Sequence, residues 1–132
     1  MLVKMKFVDY KINYMNNILY GTIFGDIAGS TYEWHPVKDY HFELLPNNSH
    51  FTDDTVMTAA VATWLMTEPR NSETLIRSLQ LFGSLYPYAG YGRNFFNWLR
   101  DPKPQPYYSW GNGSAMRVSP CAWIAKSLGE AE

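Results

Sequence analysis

Two adjacent aspartates, Asp53 and Asp54, stand between two threonines, Thr52 and Thr55. Neighbouring residues on a helix project about 100° apart, so these carboxylates cannot grip one ion as a fork, but each can serve one ion of a close pair. The threonine hydroxyls add oxygen at the same turn. Hard oxygen donors without histidine or cysteine select Mg²⁺, Mn²⁺ or Ca²⁺ over Zn²⁺. The pair also has a plain structural reading, because carboxylates in a first helical turn are favoured by the helix dipole and its free N–H groups.

Three further features bear on the same chemistry. Asp26 and Glu33 lie upstream and reach a shared cleft if their segment packs beside the Asp53 helix; alone, Asp26 reads as a cap for Gly29 or Ser30 and Glu33 as a solvated loop charge. The turn Gly111, Asn112, Gly113 and Ser114 can offer backbone N–H groups to an anion, its glycines permitting close approach, although Asn and Gly are also common in ordinary tight turns. Tyr107, Tyr108 and Trp110 flank that turn as candidates for stacking on an adenine, with core or interface packing as the alternative for each. His35, His41 and His50 have no metal-ligand spacing and read as loop residues.

The elements that must position these residues are helical. From Asn17 to Gly29, Ile18, Leu19, Ile23, Phe24 and Ile27 recur at helical spacing, and Gly21, Gly25 and Gly29 form one stripe. Each mid-helix glycine costs about 1 kcal/mol relative to alanine, so the stripe implies close approach of another backbone or of a ligand. Residues 30–50 read as a loop with a short extended piece from Tyr40 to Leu44. Thr52 is a good N-cap for a helix from Asp53 to about Met66, with Val56, Ala60 and Trp64 on one row. Pro69 ends it, and Ser72 caps a further helix to about Leu85. A short helix spans Asn94 to Leu99, and a last one begins at Ser119 and Pro120 and closes at Gly129. No alternating strand pattern and no internal repeat occur. The expected fold is all-α with long functional loops.

The chain has 132 residues, 46% apolar, 17% charged and 17% aromatic. That describes one globular domain with aromatic surface to spare. A formal charge of −1 with scattered Lys and Arg argues against nucleic-acid binding. Cys121 is the single cysteine, which precludes an intramolecular disulfide and points to a reducing, cytoplasmic setting. The longest apolar run, Val56 to Met66, has about 11 residues where a membrane span needs roughly 20. Residues 1–15 match no template and read as an N-terminal extension, followed by a domain over 16–132.

Taken in order, the run from Gly25 through Asp26 to Glu33, the run from Phe51 to Met57, and the run from Gly111 to Val118 resemble the ADP-ribosylglycohydrolase family, which includes the dinitrogenase reductase activating glycohydrolase. The resemblance covers about residues 17–128. It implies an orthogonal all-helical bundle with a two-ion centre, usually Mg or Mn, that binds the distal ribose of an ADP-ribosyl group and hydrolyses its bond to a protein side chain or small acceptor. By the same resemblance Thr52, Asp53 and Asp54 are metal ligands, Glu33 is the carboxylate assisting proton transfer, Asp26 supports the ligand shell, and Gly111, Asn112, Gly113 and Ser114 wrap diphosphate and ribose.

The sequence departs from the family pattern in one respect: no Asp-x-Asp-Thr segment follows to complete the ligand set. The bundle is expected to be truncated after about five helices, with the Val56, Ala60 and Trp64 face partly bare and covered by a second copy or a complementing chain. Weak metal binding and little hydrolysis follow from the same premise. A module that holds ADP-ribose without cleaving it, and a purely structural helical domain, remain the alternatives.

Overall fold

The computed structural model describes residues 19–131, and within them the chain forms six helices and no strand. The expected extension over residues 1–15 lies outside the described residues. Helix α1 covers residues 19–30, α2 Asp53–Leu65, α3 Ser72–Leu85, α4 Arg93–Trp98, α5 Ser119–Ile124 and α6 Leu128–Ala131.

The centre of the fold is α2, which is apolar around most of its circumference, as a helix surrounded by protein must be. Val56, Met57, Ala60 and Val61 form the core with Leu79 of α3 and Leu99. Met57 and Ala60 are wholly buried. α3 is the main neighbour of α2 and α5 the next. Cross-links fix their register: Ser78 Oγ donates to the Ala60 carbonyl at 2.7 Å, and Trp64 Nε1 to Thr74 Oγ1 at 3.1 Å. Gly83 lets α3 approach Leu99, since a Cβ there would meet Leu99 Cδ1 at 2.7 Å.

Several expectations need correction. The row Val56, Ala60 and Trp64 is not bare: Val56 and Ala60 are buried and Trp64 packs against the core, because α3 and the chain beyond α4 cover α2. No neighbour lies within 4 Å of a Cβ built on Gly21, Gly25 or Gly29, so the stripe is not a seam between backbones within the described residues. The piece from Tyr40 to Leu44 is irregular, held by local bonds from the His41 N–H to Asp39 Oδ1 and from the Tyr32 hydroxyl to the Glu43 carbonyl. The cap of α3 is Asn71, which forms a reciprocal capping box with Thr74. Gly129 closes nothing: α5 stops where Ala125 turns extended, and Ser127 starts the separate α6 by accepting the Glu130 N–H.

Candidate functional site

The start of α2 is held by α1. Asp26 accepts four hydrogen bonds, from the Thr52 N–H (2.8 Å) and hydroxyl (2.6 Å) and from the Thr55 N–H (3.1 Å) and hydroxyl (2.5 Å). The carboxylate thus caps the first turn of α2 from a different helix, meeting donors that the helix cannot satisfy itself. Thr52 Oγ1 also accepts the Asp54 N–H at 3.3 Å. The capping role read for Asp26 within its own helix falls instead to Ser30, whose hydroxyl donates to the Ile27 carbonyl at 2.9 Å and accepts the His50 N–H at 3.1 Å.

This clamp turns Asp53 and Asp54 into an open cleft of about 610 Å³, lined also by Asp26, Glu33, Thr52, Gly25 and Gly29. The five sequence-predicted residues Asp26, Glu33, Thr52, Asp53 and Asp54 therefore line one space, and two glycines of the stripe face into it. Among the described residues no lysine, arginine or histidine lines the cleft, so its carboxylates have no cation on the cleft wall. Burial, then the charge of Asp54, then Glu33 and Asp26 push the Asp53 carboxyl up to about 6, with a backbone hydrogen bond opposing. Burial, then Asp26 and Glu33, raise Asp54 as well. Oxygen donors that repel one another fit a hard divalent cation, which would relieve that repulsion. The set is partial: among the described residues no three acidic, histidine or cysteine groups converge as ligands, and both oxygens of Asp26 are already tied to Thr52 and Thr55.

A second cavity of about 380 Å³ adjoins the first and shares Asp53, Gly92, Asn112 and Met116 with it. Its wall is the turn Gly111, Asn112, Gly113 and Ser114 together with Tyr107, Tyr108 and Trp110. Tyr108 and Trp110 are fully exposed, which excludes core packing for them. The turn closes through the Met116 N–H to the Asn112 carbonyl (3.1 Å) and is tied to α2 by the Thr58 hydroxyl donating to the Met116 carbonyl (3.2 Å). His35, His41 and His50 line neither cavity.

A family model described as ADP-ribosylglycohydrolase matches residues 14–132. The chain belongs to the ADP-ribosylglycohydrolase family. No curated protein and no solved structure gives a significant match. Membership assigns an ADP-ribosylglycohydrolase-like function and an all-helical fold to this chain, in a family whose members generally depend on metal. Among the described residues, no helix of this family member is long and apolar enough to cross a membrane.

Two residues packed on Phe95, one of them on the wall of the second cavity, carry no role in the sequence reading. The Arg117 guanidinium lies 4.9 Å from the Phe95 ring centroid, and its Nη1 is buried without a hydrogen-bond partner. The Tyr91 hydroxyl is likewise buried and unpartnered, and Tyr91 packs edge-on against the same ring. Burial, followed by the Asp53 charge, pushes the Tyr91 hydroxyl up to about 12. The only signal in the sequence is the position of Arg117, three residues beyond the Gly111–Ser114 turn. Tyr91 has none, being placed by α4.

Proposed function

We propose that the paired cavities hold an ADP-ribosyl group and that this chain acts in hydrolysing its bond to a protein side chain or small acceptor. One observation carries the reading: an acidic cleft and a polar, aromatic-walled cavity meet at Asp53 and Asn112. A ligand with a hydroxyl-rich end, an anionic middle and a flat base has that sequence of properties.

Asp53 and Asp54, with the Thr52 hydroxyl, would hold Mg²⁺ or Mn²⁺, two ions in the family pattern. When bound, such ions supply Lewis acidity and orient hydroxyls and water. Asp26 keeps Thr52 and Thr55 in place and so fixes the turn that carries both aspartates. Glu33 is exposed at the cleft. In hydrolysis, water forms the new bond to the anomeric carbon as the bond to the acceptor breaks; Glu33 takes a proton from the water and passes it to the departing acceptor, so no proton is gained or lost. The Gly111–Ser114 turn supports the diphosphate, and Tyr107, Tyr108 or Trp110 the adenine.

Binding without turnover is favoured by one specific fact. Both oxygens of Asp26 are tied to Thr52 and Thr55, which among the described residues leaves two aspartates and Glu33 on the cleft wall for a two-ion centre. A second copy or a complementing chain would supply the remaining donors, and a reducing cytoplasm suits the single cysteine. Release of ADP-ribose from an ADP-ribosylated peptide, assayed with Mg²⁺, with Mn²⁺ and with chelator, separates the readings. Metal-dependent release that disappears in Glu33→Gln supports the hydrolase, and tight ADP-ribose binding without release supports the module.

A further inference from the structure

We propose that Arg117 is a specificity-determining residue, making a phosphate group a requirement for ligands of the cavity walled by the Gly111–Ser114 turn. This rests on reading the paired cavities as an ADP-ribosyl site, and it names the side chain that selects the charged part of the ligand.

The argument begins with a missing partner. Among the described residues the ion pairs are Arg70 with Glu68 and Arg77 with Glu73, and Arg117 takes part in neither. Its guanidinium has one face over Phe95, and its buried Nη1 finds no acceptor. An arginine carries five N–H donors and no acceptor, so what it lacks is an oxygen or an anion. Burial pushes the guanidinium below its usual value, yet it stays a cation at any ordinary pH. The Asp53 carboxylate acts on the guanidinium through space, but a desolvated Nη1 without an acceptor is an unfavourable arrangement that an incoming anion relieves.

The position of that cation decides which anion. Arg117 lines the same cavity as Gly111, Asn112, Gly113 and Ser114. Backbone N–H groups of a glycine-bearing turn beside a planar guanidinium make a site for a tetrahedral oxyanion, which the guanidinium can meet with two parallel hydrogen bonds. Arg93 is the other cation on the cavity wall, but it is exposed and loses little by remaining in water. Asp53, an acidic residue on the same wall, offsets part of the Arg117 charge without forming an ion pair with it, so the guanidinium keeps donors for the phosphate.

The test uses the full chain and three probes: inorganic pyrophosphate, ADP-ribose and adenosine, titrated by calorimetry into wild type, Arg117→Gln and Arg117→Lys. Circular dichroism first checks that each variant folds. Wild type binds pyrophosphate and ADP-ribose, Arg117→Gln weakens both by about tenfold or more, and Arg117→Lys recovers part of the loss, while adenosine binding stays unchanged. Wild type that fails to bind pyrophosphate overturns the proposal, as does Arg117→Gln that binds it equally well. Equal loss of adenosine and pyrophosphate also overturns it, since that marks a merely structural arginine. Arginine-dependent pyrophosphate binding in a chain that ignores ADP-ribose would sink the ADP-ribosyl reading and leave the role of Arg117 standing.

Discussion

Asp26 commits both carboxylate oxygens to the first turn of α2, whereas Asp53 faces a cleft on whose wall, among the described residues, no cation stands. Two acidic residues of one site therefore respond oppositely to loss of charge. Asp26→Asn puts an amide donor where donors already point, and stability to urea should fall by about 2 kcal/mol. Asp53→Asn removes a repelled, half-buried charge, so the metal-free protein should gain up to about 1 kcal/mol once solvent screening is allowed for. Equal destabilisation by both would refute the assignment of distinct roles. Cys121 offers a separate check, because burial raises its thiol against a weaker backbone hydrogen bond. A raised value leaves less thiolate at a given pH, so alkylation by iodoacetamide at pH 8.5 should be slower than for free cysteine and accelerate only at higher pH. The sequence named Asp26, Glu33, Asp53 and Asp54 because acidic residues beside Thr and Gly are rare enough to notice. It gave no role to Tyr91 or to Arg117, although Arg117 lies within the third motif, because what sets them apart is a hydrogen-bond partner they lack, a property that exists only in three dimensions.

At the scale of elements, α2 was legible because cap and periodicity agree, Thr52 accepting a backbone N–H at its start, and α3 through its periodicity, its cap being Asn71 and not the expected Ser72. The break between α5 and α6 was not legible, since Ser127 competes locally with continuation of the helix and Gly129 seemed the stronger stop signal. The glycines of α1 divide from Gly83 in the same way. Gly83→Ala drives a methyl into the buried Leu99 and should cost about 1–2 kcal/mol, less when Leu99 is also replaced by Ala, which a double-mutant cycle on urea midpoints would measure. Gly25 has open space around it and lines the cleft. Gly25→Ala should stabilise the helix by up to about 1 kcal/mol and weaken ADP-ribose binding. Stabilisation with unchanged binding would remove the ligand as the reason for that glycine.

For the molecule as a whole, the all-helical class followed from period and punctuation, and the family from three motifs in order. The burial of α2 did not follow. Its Val56, Ala60 and Trp64 row was expected to lie partly bare, but α3 and the segment after α4 wrap it, because residues far apart in sequence close over one helix. The argument for a second copy therefore loses the face it started from, and what remains of it is chemical: a ligand set with too few carboxylates. The central claim is that the Asp53 and Asp54 cleft joins its neighbouring cavity into one metal-dependent ADP-ribosyl site. Calorimetric titration of ADP-ribose into the wild-type chain and Asp53→Ala, with Mg²⁺ and with chelator, tests it most directly. Binding to wild type that requires Mg²⁺ and is lost in Asp53→Ala is the predicted result; binding that ignores both the ion and the substitution would contradict the account.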